Sequence, residues 1–490
     1  MIKSIKYFQE EGIINLEKVI ENFYDNPKDF PTLVRGILKE MLELGKRILV
    51  ETLEEVDSQV RNSSKRKNQG WVVDQKDVKK ELITSLGAIY FNKTYFYNKK
   101  TKEYRFLVDD VIGLEKNEKL TPDAIANIYT EAVQTSYRKG GENVSIDTQV
   151  SKETVKNCLH EIVFPKYVAP EKKKVVERLY IEADEDHVAL QFNEKKGDLV
   201  INEQGRKNNG MINKLVVVHE GIAPEAPGSR RHRLVNPHYF CTSSMTDNGK
   251  FWKEVSDYIE STYEVLKIKK IYLNSDGGSW IKTCKDYIYG TVHVIDEFHL
   301  SKSLLRMTAH LKDSQDDAKR ELRRIIRCEN KSEFVAYVDL IKTYTEDEKV
   351  LGKIDTEKKY IYENWTACKL RVRRTEGVVG SSTEGQVSHV LSRRMSTLAM
   401  GWSRHGATQM GKLRAYYKNG GNMLELAEYQ KQRLPKAAGS ESEIFTVPIK
   451  SKATTSETST ELRKYFDVMQ AYVPETAKKY AWLKAHEWLW

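Results

Sequence analysis

Four short apolar runs in the middle of the chain constrain its fold more than any other feature. They are "VERLYIEADEDHVAL" (176–190), "NKLVVVHEGI" (213–222), "IKKIYLNSD" (268–276) and "GTVHVIDEFH" (290–299). Each is rich in β-branched residues and too short for a buried helix, so each is expected to be a strand. Between the second and third lies "DNGKFWKEVSDYIESTYEVLK" (247–267), with apolar residues at helical spacing behind a cap at Asp247 or Asn248. Strands followed by a helix and another strand predict a mixed α/β sheet.

The remaining segments arrange themselves around that sheet. Residues 1–70 read as helical, because "LVRGILKEMLELGKRILVETLEEVDSQV" repeats apolar residues every three or four positions. "RNSSKRKNQGW" (61–71) breaks the helix and serves either as a solvated linker or as a DNA-contacting loop. In 71–118, "LGAIYFNKTYFYNKKTKEYRFLVDDVIGL" alternates aromatic and polar residues around "NKKTKE", which predicts a β-hairpin with a basic turn. Its aromatics either pack across the strands or stack on nucleic acid.

Residues 119–170 return to short helices, the last of them "VSKETVKNCLHEI" with Ser151 as N-cap. This texture fits a helix-turn-helix-like DNA-binding unit, though many non-binding bundles share it. As a recognition helix in the major groove it would present Lys152, Thr154, Lys156 and Asn157. The sheet domain spans 171–299 and resumes at 373–430. Residues 300–372 are helical and highly charged, too long a stretch for a loop, and so are expected to be a helical insertion. A Ser/Thr-rich tail occupies 431–490.

Lys and Arg number 80 against 70 Asp and Glu, a net charge of +10 that suits a polyanionic partner. Five cysteines stand far apart with no CxxC pair, as expected of reduced thiols in the cytosol. The N-terminus interrupts its apolar residues with charge every few positions, unlike a signal peptide, and no run is long enough to cross a bilayer. A soluble, cytoplasmic protein without a membrane partner is the expectation.

Two of the predicted strands carry carboxylates where chemistry would need them. Asp276 ends its strand at "NSDGG", and Asp184 lies in "YIEADEDH". Glu384 follows a Gly-Ser-Ser turn near the start of a later helix. Side chains at the ends of adjacent strands converge on one crevice of an open sheet. Three carboxylates gathered there repel one another unless cations intervene, and hard oxygen donors suit Mg²⁺. A pair of ions about 4 Å apart can activate a water or a 3′-hydroxyl and stabilise the leaving oxygen of an in-line phosphoryl transfer. Nucleases, polymerases and transposases work this way.

The segments "YIEADEDHV" (180–188), "NSDGGSWIK" (274–282), "HVIDEFHLSKSL" (293–304) and "SSTEGQVSHVLSRRMSTLAMGWS" (381–403) together resemble the ISLre-type insertion-sequence family of bacterial DDE transposases, distantly Mutator-like. The resemblance reaches from the N-terminal helices to about residue 415. It implies a ribonuclease H-like catalytic domain with a helical insertion, and a catalytic, metal-binding triad of Asp184, Asp276 and Glu384. It also implies two Mg²⁺ or Mn²⁺ ions, element-end and target DNA as partners, and a homo-oligomer on that DNA.

The chain departs from the family where Asp184-Glu185-Asp186 replaces the usual Asp-Gly. Asp184 and Asp186 fall on one face of the strand, so both stay candidates for the first ligand. Asp296, His299 and Lys302 in "DEFHLSK" either face the same crevice or cap and pack the next helix. Arg393, with Arg394 and Arg404, either holds phosphates or lies on a solvated helix face. Two other readings use the same residues: a ribonuclease H-like nuclease that joins no strands, and a transposase-derived DNA-binding protein without catalysis.

Overall fold

Burial alternation and helix caps translate the sequence into two separate units in the computed structural model, which describes residues 3–192, 209–375, 377–398 and 400–433. One unit holds the residues up to Ala124 together with Ser145–Thr148; the other holds Ile125–Val144 and Gln149–Arg433. The tail beyond Arg433 lies outside the described residues.

In the first unit, helix Phe30–Asn62 starts at an Asp29 cap whose side chain accepts the Thr32 N–H. The 61–71 stretch continues it as structure. Ser63 caps a short helix, Ser64–Asn68, and the buried Arg66 donates to the Trp71 and Arg61 carbonyls at 2.6 and 3.1 Å. The hairpin pairs Trp71–Thr84 with Gly87–Asn98 around Ser85 and Leu86; the "NKKTKE" turn leads only to the two-residue strand Tyr104–Arg105.

Register shifts between Val73 and Val78 change which residues of the partner strand point inward. Ile89, Phe91 and Lys93 are buried before the switch, and Thr94, Phe96 and Asn98 after it. On the opposite face Tyr104 stacks with Tyr95 and packs at a tilt against Tyr97, at ring-centroid distances of 5.5 and 4.8 Å. The aromatics therefore do pack across strands.

The second unit is built on a five-stranded mixed sheet. Its strands are β1 (Arg178–Ala189), β2 (Gly210–His219), β3 (His238–Ser243), β4 (Lys270–Ser275) and β5 (Thr291–Ile295). The spatial order is β5-β4-β1-β2-β3; β1 pairs antiparallel with β2, as β2 does with β3, while β1–β4 and β4–β5 are parallel.

Helix α1 (Asn248–Thr262), capped by Asp247, covers one face over Leu179, Ile181, Val216, Val218, Ile271 and Leu273. The other face carries Tyr180, Tyr272 and Val294 against Leu370, Val378 and Val379. Between β5 and Glu384 run α2 (Glu297–Thr308), α3 (Gln315–Cys328), α4 (Lys331–Lys342), α5 (Glu348–Glu363) and α6 (Trp365–Arg373). They share a core of their own, including Leu304, Leu322, Ile326, Phe334, Val338, Ile361 and Trp365. Helices α7 (Thr383–Val387) and α8 (Arg404–Lys418) follow.

Candidate active site

Parallel pairing sets the site. Ala183 pairs with Ser275, and Ser275 with Ile295, so Asp184, Asp276 and Asp296 stand next in line on three adjacent strands. Neighbouring strands lie about 4.8 Å apart, which makes this line a row of carboxylates on one face. The Asp-Gly-Gly turn and the row coexist. Asp276 Oδ1 accepts the Gly278 N–H at 2.9 Å, while its carbonyl accepts the Tyr360 hydroxyl at 2.7 Å. Gly277 has φ +87° and Asn364 Oδ1 stands 2.9 Å from where a Cβ would be, so both backbone and space call for glycine.

The segment that bears Glu384 is held against β1 on both sides of that residue. The buried Glu182 accepts the Ser382 N–H at 2.9 Å and the Ser382 hydroxyl at 2.8 Å. The Ser392 and Ser396 hydroxyls donate to Asp186 Oδ1 at 3.1 and 3.0 Å. Between the clamps, α7 passes into a π-helical turn, Ser388–Ser392. Such turns recur at functional sites.

The clamps also separate the two aspartates that spacing alone could not. Asp186 Oδ1 is occupied by serines, with Oδ2 buried and unpartnered among the described residues. Asp184, by contrast, takes only the Glu185 N–H among the described residues, at 2.8 Å, and feels the charges of Asp276 and Glu384.

The electrostatics match this geometry. Burial lifts the Asp184 carboxyl to about 7, the Asp276 and Glu384 charges push the same way, and the Glu185 N–H and His299 oppose them. Burial also lifts Glu182 to about 7 against its two Ser382 hydrogen bonds.

Asp296 occupies the N-cap position of α2, and His299 Nδ1 donates to its Oδ2 at 3.0 Å. That bond, with the Asp184, Asp296 and Asp276 charges, holds the His299 pKa above its ordinary value despite partial burial. Burial pushes Asp296 up, but hydrogen bonds from His299 and Ser381 outweigh it and leave the carboxyl below its ordinary value. Asp296 and His299 thus belong to the row as well as to the helix start.

The other expected contacts divide. Lys302 is exposed, its ammonium 5.2 Å from the Phe298 ring centroid, and Arg393 is exposed. Arg394 is buried and donates to the Ala132 carbonyl at 2.9 Å; Arg414 is buried and donates to the Val133 carbonyl at 2.8 Å. Both fasten the end of helix Pro122–Ala132, so Arg394 is a structural residue. In helix Lys152–His160, Lys152 and Asn157 are exposed, Thr154 bonds the Ser151 cap, and Lys156 pairs with Glu153. The helix's last carbonyls are met from α8, by His405 at 2.8 Å and Gln409 at 3.1 Å on the His160 carbonyl.

Sequence reasoning missed Glu182 and Arg371. Glu182 carried a legible signal: with Asp184 and Asp186 it forms a stripe of acids at every second position of an apolar strand. Arg371, buried in α6, donates to the Ile295 carbonyl, the Val379 carbonyl and Asn274 Oδ1, each at 2.7 Å.

Glu384 is exposed at the edge of the crevice, and among the described residues no three His, Cys, Asp or Glu side chains lie close enough together to hold a metal ion. In donor chemistry the carboxylates of the row suit a divalent cation: they are hard oxygen donors, and burial together with the neighbouring Asp276 and Glu384 charges raises the pKa of Asp184.

Comparison with known proteins places these residues in a wider group. A model of the uncharacterised protein family UPF0236 matches residues 24–433. A UPF0236 protein of Caldanaerobacter subterraneus subsp. tengcongensis is 34% identical over 422 residues, covering 85% of this chain and 84% of its own. A second from that organism is 34% identical over 425 residues, covering 85% and 86%. A UPF0236 protein of the vanSb 3′ region of Streptococcus gallolyticus is 25% identical over 408 residues, covering 80% and 84%. No described helix is long and apolar enough to cross a membrane.

Proposed function

We propose that this chain, which belongs to the uncharacterised protein family UPF0236, is a DNA transposase that recognises element ends and cuts and joins strands by metal-dependent phosphoryl transfer. The observation that carries this reading is the line Asp184–Asp276 on adjacent parallel strands, with Glu384 held nearby by the Glu182 and Asp186 clamps. A mixed sheet with three antiparallel strands followed by two parallel ones, interrupted by a helical layer before Glu384, supports a ribonuclease H-like catalytic domain. Genomic multiplicity points the same way. One relative's name joins eleven locus designations of a single organism and another's joins four, as copies of a mobile element would require.

Asp184, Asp276 and Glu384 are the residues that would hold two Mg²⁺ or Mn²⁺ ions. When bound, such ions supply an activated water or 3′-hydroxyl and charge stabilisation at the phosphate. The chain's own part is positional. Glu182 and Asp186 fix the segment bearing Glu384, and Tyr360 fixes the turn after Asp276. His299, with its proton on Nδ1, gives its hydrogen bond to Asp296.

The test uses the full-length protein and duplexes taken from the DNA flanking its own coding sequence. Nicks at a fixed position and joined strands, both abolished by EDTA, are expected. Nicks without joined products would favour a nuclease, and end-specific binding with no cleavage would favour a DNA-binding descendant.

A further inference from the structure

A cavity of about 440 Å³ opens beside α3 and α6, lined by Glu297, Arg323, Arg327, Arg371, Arg373 and Arg374. Five guanidiniums against one carboxylate is an extreme ratio for a pocket, and the carboxylate is already spent. Glu297 takes Arg323 at 2.6 Å, and no other carboxylate lines the pocket. Arg373 is largely engaged, donating Nε to the Arg327 carbonyl at 2.7 Å and standing 3.5 Å from Glu329. Arg327 and Arg374 are exposed and make no side-chain hydrogen bond or ion pair among the described residues. Arg374 is moreover held at φ +49°, the left-handed cap of α6, a conformation that arginine adopts at a cost.

The cavity's position ties it to the acid row. Arg371 forms part of its wall, bonded to Asn274 two residues before Asp276 and to the Ile295 carbonyl directly before Asp296. Glu297 directly follows Asp296. The arginine-lined wall therefore abuts the face of the sheet that carries the carboxylates. Arginine's planar fork matches phosphate oxygens two at a time, and two unpaired forks beside a buried third form a phosphate receptor.

We propose that this pocket binds a backbone phosphate of the DNA that enters the Asp184–Asp276 crevice, with Arg327 and Arg374 as the contacting residues. The inference rests on the transposase reading and adds a binding site to it. Not every arginine of the helical layer takes part. Arg324 is closed off by Glu321 and Glu333, with 2.8 Å to the former, and so serves as an internal control.

The experiment measures binding of the full-length protein to a fluorescein-labelled 40-base-pair duplex in EDTA, across a salt series. The double variant Arg327→Gln/Arg374→Asn is compared with Arg324→Gln. Asn tolerates the left-handed backbone at 374, and neither altered side chain has a partner to lose, so the melting temperature should hold. Each lost phosphate contact removes about 0.9 from the slope of log K against log salt. The double variant should therefore show a slope shallower by about one to two, with binding weaker by tenfold or more at low salt. Arg324→Gln should change neither. An unchanged slope in the double variant overturns the pocket while leaving the transposase reading intact. Equal losses in Arg324→Gln overturn it as well, because the cations would then act as a diffuse field. If the wild type binds no DNA at any salt, both the pocket and the reading beneath it fall.

Discussion

Acidic side chains meet opposite fates in two regions of the sheet-bearing unit. In the helical layer they meet cations: Asp355 takes Lys342 at 2.8 Å, Asp339 takes Lys358 at 2.6 Å, and Glu357 takes Arg306 at 2.8 Å. Around β1, Glu182, Asp184, Asp186, Asp276 and Asp296 gather with no Lys or Arg at ion-pair distance among the described residues. One arrangement is what folding alone would select. In the other, burial opposes the charge of Glu182 and Asp184, and proteins tolerate such a cost where function needs the charge. Neutralising an acid should therefore have opposite consequences in the two regions.

The largest effect is expected at Asp276. Asp276→Asn preserves the turn to Gly278 but removes a charge and a metal-binding oxygen. Cleavage of end DNA in Mg²⁺ should fall on the order of a thousandfold or more, about 4 kcal/mol of transition-state stabilisation. Melting temperature and DNA binding should be retained. A variant that cleaves at the wild-type rate would reduce Asp276 to a turn residue and remove the basis of the comparison.

Next comes Asp184→Asn, read as stability without metal. The folded carboxyl sits at about 7 against its ordinary 3.8, so the folded state binds the proton more tightly than the unfolded one. The penalty on the wild type is complete above about pH 7, shrinks as pH falls, and is gone near pH 4. The variant should therefore be more stable by about 2–4 kcal/mol at pH 8, with the gain vanishing by pH 4. Thermal melts across that range check it. A variant less stable at pH 8 would show that Asp184 is satisfied where it stands.

How much of this was legible follows from which signals are local. The strand at Asp276, helix α1, the Ser151 cap and the helices between β5 and Glu384 all announced themselves through periodicity or capping. Strand Trp71–Thr84 did not, because its "DQKDVKKE" centre is half-exposed and polar and its bulges break the alternation. Strand β3 was missed because its six residues, "HYFCTS", mix apolar and polar types without a period. The clamps were out of reach for another reason. Glu182 and Ser382 lie 200 positions apart, and nothing in either neighbourhood names the other. Arg394 and Arg414 look like surface cations in sequence, and only tertiary structure shows them buried on helix-end carbonyls.

In the helical layer the sign should reverse. Glu357 is buried and meets both Ser303 and Arg306, the latter half-exposed. Glu357→Gln keeps the shape but weakens two charge-assisted bonds, so a loss of about 1–3 kcal/mol is expected by denaturant unfolding. A gain, as at Asp184, would erase the contrast between the regions.

The smallest effect tests whether pairing in the layer matters where water reaches it. Lys342 Nζ lies 2.8 and 3.0 Å from the two oxygens of Asp355, whose side chain is 55% exposed. Solvent screens such a pair, and ordering two flexible side chains offsets most of the attraction. A double-mutant cycle with Lys342→Ala and Asp355→Ala should therefore give a coupling of about 0.2–1 kcal/mol. At 1 M salt, where the screening length drops to about 3 Å, the coupling should shrink further. A coupling above about 2 kcal/mol that survives high salt would mean that surface pairs, and not the layer's apolar core, hold these helices in register. The layer's carboxylates would then be structural necessities, a stronger opposite to the acid row than burial alone provides.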